Sequence, residues 1–125
     1  MNRLQRIRSS LRVAARVLLT AAACALPVER TAVAQDDATA AADALAKSLF
    51  MTGAVPPCAL CHALKEVGAT GAVGPVLDDL QPDATRVATA LRTGIGAMPS
   101  YKATLSEAQI VLLSRYVAKA SGGAR

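Results

Sequence analysis

Two cysteines and the only histidine of the chain stand together in the segment Cys58-Ala-Leu-Cys61-His62. Thiols three positions apart lie on one turn of a helix, where each can add to one vinyl group of a haem, and the adjacent imidazole can bind the iron. With three cysteines and one histidine in 125 residues, this pattern is rare by chance. The segment therefore predicts covalent attachment of one haem c, with His62 as an iron ligand.

Other readings of the same residues have weaker support. A structural zinc site needs four ligands, and residues 35–125 offer only two cysteines and one histidine. A thioredoxin-like redox pair would follow a βαβ unit, and no strand pattern precedes Cys58. A plain disulfide between Cys58 and Cys61 stays open for an exported protein, because oxidising compartments favour disulfides.

Met98 is the predicted second axial ligand of the iron. It lies in the segment Gly94-Ile-Gly-Ala-Met-Pro, where two glycines let the backbone come close to a flat ligand and the proline fixes the exit direction. A thioether sulfur opposite a histidine is a common haem ligation. Met51 is the alternative, but its place in a helical apolar pattern is typical of core filling.

Pro75 is the predicted partner of the histidine ring. An iron-bound histidine usually donates its other ring N–H to an acceptor, which fixes the orientation of the ring and raises its basicity. The Pro75 carbonyl, in the Gly74-Pro75 loop, is a suitable acceptor. A simple turn at Gly-Pro is the alternative.

Residues 1–34 have the pattern of a cleaved secretory signal peptide. Five arginines precede a ten-residue apolar stretch over 17–26, and Ala32-Val-Ala34 follows as a cleavage site before Gln35. The apolar stretch is too short to span a membrane. We expect cleavage after Ala34, a periplasmic mature chain of residues 35–125 and no membrane span; a retained basic amphipathic helix and lipidation of Cys24 are the alternatives.

The net charge changes when this leader is removed. The whole chain has 14 basic and 9 acidic residues, a net charge of +5. Residues 35–125 contain eight of each sign, so the mature domain is formally neutral. The excess of basic residues lies in the predicted signal peptide, so the mature chain is not expected to bind nucleic acid.

The mature chain is predicted to be all-α, with three to four short helices and long Gly/Pro-rich loops around one covalent haem. A first helix is expected over Ala41–Met51, with Leu45, Leu49 and Phe50 on its buried side. Residues 53–82 contain many glycines and prolines, so they allow only short helical turns, one of them around 59–65.

Two further helices have clear end signals. Asp83 is a suitable N-cap for a helix that reaches Thr93, with Gly94 just beyond it. Ser106 and Gln109 form a capping box for the last helix, and Gly122 follows its end. Ile110, Leu113 and Val117 are expected on the buried side of that helix.

Only 2% of the residues are aromatic, and there is no tryptophan. Aromatic side chains normally supply much of the buried area of a small core, so we expect the porphyrin to supply it here and folding to depend on haem. The residues predicted to line the haem pocket are Leu60, Leu64, Val76, Leu77, Leu80, Val87, Leu91, Ile95, Leu112 and Leu113.

The order of these motifs resembles a class I monohaem cytochrome c over essentially all of residues 35–125. That resemblance implies that the first and last helices cross through a contact between Phe50 and Tyr116. The segments Gly71-Ala-Val-Gly-Pro-Val-Leu77 and Gly96-Ala-Met-Pro-Ser-Tyr101 are also similar to the cytochrome subunit of bacterial sulfite dehydrogenase. This similarity implies a partner subunit that carries a molybdenum cofactor.

One-electron transfer is the function that these features favour. With His62 and Met98 both bound, the iron has no open position for a substrate, so no catalysis is expected from this chain alone. A free soluble cytochrome c that serves another dehydrogenase or a terminal oxidase is the alternative. A haem enzyme or a ligand sensor would need an open or displaceable sixth ligand.

Overall fold

The computed structural model describes residues 29–124 of the chain. Most of the predicted signal peptide, including Cys24, lies outside these residues. Among the described residues, no helix is both long and apolar enough to cross a membrane. From Asp36 onward the described chain forms one compact unit.

Five α-helices account for most of the described chain, which confirms the all-α class. They are α1 (Glu29–Ser48), α2 (Cys58–Cys61), α3 (Leu77–Leu80), α4 (Ala84–Thr93) and α5 (Glu107–Ala120). A π-helical turn, Leu49–Gly53, follows α1 directly. Two of the five helices are single turns, as the glycines and prolines of the middle segment require.

A two-stranded antiparallel sheet, which was not predicted, follows the cysteine segment. Strands β1 (Ala63–Leu64) and β2 (Ala69–Thr70) pair with Leu64 opposite Ala69. A 3₁₀ turn between them ends at Gly68, whose φ of 68° reverses the chain. The prediction of a helical turn as far as residue 65 was therefore wrong beyond Cys61.

Helix α1 begins earlier than expected and buries a different face. It starts at Glu29 rather than near residue 41, because residues 29–40 include four alanines and no glycine or proline that would end a helix. Leu45 is 52% exposed, and Ala46 is buried in its place beside Leu49 and Phe50. Positions 46, 49 and 50 have the i, i+3, i+4 spacing of one helix face.

The last two helices begin as predicted. The Asp83 carboxylate accepts a hydrogen bond from the Arg86 amide at 2.8 Å. At the start of α5, Ser106 and Gln109 form both hydrogen bonds of a capping box, of 2.9 and 3.3 Å. An ion pair between Arg92 and Glu107 then joins the end of α4 to the first turn of α5.

The hydrophobic core contains residues of α1, of the π turn, of α4 and of α5. All three aromatic side chains of the chain, Phe50, Tyr101 and Tyr116, are buried in one hydrophobic cluster. The cluster contains the predicted stripe of α5, namely Ile110, Leu113 and Val117. Phe50 and Leu113 also border a large cavity, so part of this core surface faces open space.

Candidate haem site

The cysteine segment forms one closed helical turn at the edge of the cavity. Cys58 and Cys61 are the first and last residues of α2, and the His62 amide donates to the Cys58 carbonyl at 2.9 Å. Both thiols are free, and both line the cavity. Extended backbone at Pro57 leads into the turn, as a proline before a helix allows.

Burial raises the pKa of the Cys58 thiol to about 11. Redox and metal-binding cysteines act as thiolates, which a low pKa favours. Burial therefore disfavours the thiolate form of Cys58. Among residues 29–124, no group of three or more His, Cys, Asp or Glu side chains could hold a metal ion.

The His62 ring is oriented by the loop that contains Gly74 and Pro75. Its Nδ1–H donates to the Pro75 carbonyl at 2.9 Å, and the ring lines the cavity. With Nδ1 used in this way, Nε2 is the nitrogen left to bind a metal. The Gly74 amide also donates to the Cys61 carbonyl at 2.8 Å, which holds this loop against α2.

Two glycines make this close approach possible. A Cβ at Gly74 would lie 2.8 Å from Nδ1 of His62, too close for any side chain. A Cβ at Gly71 would lie 2.6 Å from the His62 amide nitrogen. Because neither position has room for a methyl group, both glycines are needed for the loop to reach the histidine.

Met98 borders the same cavity as His62, on a tight turn. Ile95 and Met98 exchange two backbone hydrogen bonds of 3.0 Å each. The turn needs Gly96 at a φ of 57°, and Gly94 at 70° brings its backbone close to the Met98 carbonyl. Met51 packs against the hydrophobic core and does not line the cavity.

The cavity has a volume of about 550 Å³, within the range of pockets that enclose a small organic ligand. Six of the ten predicted pocket residues line it: Leu77, Leu80, Val87, Leu91, Ile95 and Leu113. The other four do not, since Leu64 is fully buried elsewhere in the core, Leu60 is 65% exposed, and Val76 and Leu112 lie outside the lining. The wall is largely apolar, as a porphyrin face requires.

Arg86 and Tyr101 line the cavity and were not predicted from the sequence. Arg86 is the only Lys, Arg, Asp or Glu residue among the described residues that line the cavity. Tyr101 also lines it, and its hydroxyl donates to the Pro56 carbonyl at 2.9 Å. The helical spacing of Arg86 with Ala90 and Thr93 is a signal that places Arg86 on the cavity side of α4, but a charged residue does not belong to an apolar pattern.

These residues fit a covalently held haem. Two thiols on one helical turn border an apolar cavity, an imidazole presents its free nitrogen, and the Met98 thioether lines the same cavity. A haem bound there would supply an iron that gains or loses one electron. An iron–sulfur cluster is a poorer fit, because it takes four thiolates and residues 35–125 have two cysteines.

Comparisons with known proteins agree with this fit. Residues 35–117 match the family described as cytochrome c oxidase, cbb3-type, subunit III. The crystal structure of the c-type cytochrome SorU from Sinorhizobium meliloti is similar at 43% sequence identity and a TM-score of 0.62. That match covers 67% of this chain and 95% of SorU. The comparison with curated proteins gave no match.

Proposed function

The chain belongs to the c-type cytochrome family described as cytochrome c oxidase, cbb3-type, subunit III, and we propose that it is an exported electron carrier with its haem held by four residues. It is a c-type cytochrome with covalent haem c. In the proposal, Cys58 and Cys61 form the thioether bonds, and His62 and Met98 bind the iron.

The hydrogen bond between His62 and Pro75 is the observation that carries this assignment. It fixes the ring with Nδ1 as the donor, at 2.9 Å, so that Nε2 is the nitrogen available to iron. A carbonyl acceptor also increases the basicity of the imidazole, which strengthens its bond to a metal. Met98 supports the assignment because it is the only methionine among the described lining residues.

The remaining wall residues limit what the site can do. Leu77, Val87, Leu91 and Leu113 present apolar surface to the cavity, and an apolar wall disfavours the more highly charged ferric state. His62 is the only histidine in the chain, so no second imidazole is available as a distal acid or base. These features favour electron transfer over chemistry on a bound substrate.

Arg86 is the proposed partner of the haem carboxylates. The ion pairs between side chains of residues 29–124 are Arg92–Glu107 and Lys119–Asp43, so the Arg86 guanidinium has no carboxylate partner there. Thr89 and Thr93 also line the cavity, but their hydroxyls donate to backbone carbonyls at 2.9 Å. Among the polar residues of this helix that line the cavity, Arg86 is thus the one whose side chain has no hydrogen-bond partner within the described residues, and arginine pairs well with carboxylates.

The proposed electron donor is a sulfite dehydrogenase with a molybdenum cofactor, to which this chain would be the haem subunit or the acceptor. The proposal rests on the similarity of residues 71–77 and 96–101 to the cytochrome subunit of that enzyme. Because residues 35–125 are formally neutral, long-range steering is expected to be weak and docking to use apolar contacts. Leu60, Ile95 and Val73 are large apolar residues that are exposed.

Export and partner can be tested together. The full-length chain should be expressed in its host, and the periplasmic fraction purified for the protein that begins at Gln35. If the proposal is right, a molybdenum enzyme co-purifies or binds, and sulfite reduces the haem only when that enzyme is present. Reduction by another dehydrogenase, with no response to sulfite, would instead support a free carrier, for example one that serves a terminal oxidase.

A carbon monoxide test separates the carrier from an enzyme or sensor. The purified ferrous protein should bind carbon monoxide slowly and incompletely if Met98 occupies the sixth position. Fast and complete binding would contradict the proposal and favour a site with an open iron.

A further inference from the structure

The Tyr101 hydroxyl joins two segments that lie far apart in the sequence. It donates to the Pro56 carbonyl at 2.9 Å, across 45 positions of the chain. Tyr101 is 3% exposed, and both residues line the cavity. Pro56 lies two positions before Cys58, and Tyr101 lies three positions after Met98. The bond therefore joins the cysteine side of the site to the methionine side.

The tyrosine backbone is fixed independently of this hydroxyl. The Tyr101 amide donates to the Leu91 carbonyl at 2.7 Å, and the Tyr101 carbonyl accepts from the Leu105 amide at 2.8 Å. These bonds attach Tyr101 to α4 and to the segment before α5. Removal of the hydroxyl would leave them intact, so its effect can be measured alone.

The segment around Met98 has few other attachments. Its internal hydrogen bonds, between Ile95 and Met98, set the shape of the turn but not its position. The Ser100 hydroxyl donates to the Arg92 carbonyl at 2.6 Å, which holds the segment to α4. Of the hydrogen bonds found within residues 29–124, only Tyr101–Pro56 joins residues 94–101 to residues 54–62.

We propose that Tyr101 is a positioning residue for Met98: its hydroxyl holds the methionine segment against the cysteine segment and slows the release of Met98 from the haem iron. The inference rests on the proposed function, in which Met98 is an iron ligand. Release of Met98 requires residues 94–99 to move away from the cavity. A hydrogen bond across the cavity opposes that motion and leaves the ligand set unchanged.

The test is the substitution Tyr101→Phe in the haem-loaded protein. Phenylalanine keeps the buried ring, so the variant is expected to fold and to load haem. Imidazole is added to the ferric protein, and loss of the sulfur-to-iron charge-transfer absorption reports release of Met98. We expect release to be about tenfold faster, which corresponds to the loss of about 1.4 kcal/mol, within the range of one hydrogen bond.

A control variant isolates the hydroxyl. Tyr116→Phe removes the same group from the other buried tyrosine, which does not line the cavity. It should release Met98 at close to the wild-type rate. An unchanged rate in Tyr101→Phe, or equal acceleration in Tyr116→Phe, would overturn the inference.

The same experiment distinguishes failure of the proposed function from failure of the role proposed for Tyr101. If the wild-type ferric protein lacks the charge-transfer absorption, or if Met98→Ala retains it, Met98 is not the ligand and both proposals fall. If the wild type shows the absorption and Tyr101→Phe behaves like it, only the role of Tyr101 fails.

Discussion

His62 donates its Nδ1–H to the carbonyl oxygen of Pro75, 13 residues further along the chain, at 2.9 Å. The relationship depends on Gly74, where a Cβ would lie 2.8 Å from the same nitrogen. The loop thus provides a hydrogen-bond acceptor and, by the absence of one methyl group, the space for the ring. Orientation of the histidine is a property of the whole Gly71–Pro75 segment.

Gly74→Ala should therefore disturb the histidine. The added methyl group must displace the ring or the loop, and overpacking of this kind costs about 1–3 kcal/mol. We expect a lower melting temperature and a lower yield of haem-loaded protein. Gly53→Ala is the matched control, because its Cβ would meet the end of the flexible Leu49 side chain at 3.2 Å. Equal behaviour of the two variants would mean that Gly74 has no special role.

Met98→Ala should lower the reduction potential and open the iron to added ligands. A thioether stabilises the ferrous state relative to harder ligands, so its loss favours the ferric state. Redox titration and carbon monoxide binding measure the two effects. Met51→Ala should loosen the core but leave the potential near its wild-type value, because Met51 does not line the cavity. An unchanged potential in Met98→Ala would remove Met98 from the ligand set.

Arg86→Gln should also lower the reduction potential. A positive charge at the cavity disfavours the ferric state, and its loss in a partly solvated site is worth about 1 kcal/mol, or roughly 40 mV for one electron. Arg86→Lys should have a reduction potential close to that of the wild type, since lysine keeps the positive charge. Arg115→Gln removes an equal charge from an exposed position outside the cavity wall. A similar shift in Arg115→Gln would show that only net charge matters.

Tyr101 should make stability depend on pH in the alkaline range. Burial raises the pKa of Tyr101 from 10.0 to about 12. The folded state therefore favours the protonated phenol, and this contribution is complete below pH 10 and is lost as the pH rises toward 12. Between pH 9 and pH 12, the melting temperature of the haem-loaded protein should fall less steeply with pH in Tyr101→Phe than in the wild type. Parallel curves would contradict this prediction.

Haem should be required for a stable fold. The cavity of about 550 Å³ separates α4 from the cysteine segment, and without haem its apolar wall would face water. The double substitution Cys58→Ser and Cys61→Ser should prevent attachment and abolish cooperative unfolding, measured by circular dichroism. Cys24→Ser is the control and should load haem normally. A cooperative transition near the wild-type temperature in the double variant would contradict the prediction.

The sequence alone determined the features that depend on neighbouring residues. The spacing of Cys58, Cys61 and His62 defines one helical turn, and the caps at Asp83 and Ser106 involve residues only three positions apart. Motifs of this kind have the same geometry in any tertiary context, because the bonds close within one turn. Covalent haem and the starts of α4 and α5 could therefore be predicted.

Only the tertiary structure decided which residues meet across the cavity. Leu60 and Leu64 were both predicted to line the cavity, yet Leu60 is exposed and Leu64 is buried elsewhere in the core. The reason is that a π turn, a short sheet and irregular loops have no apolar periodicity from which the buried side can be predicted. Arg86 faces the cavity, and Tyr101 reaches Pro56 across 45 positions. Contacts between distant segments depend on how the loops fold back, and local spacing does not encode that.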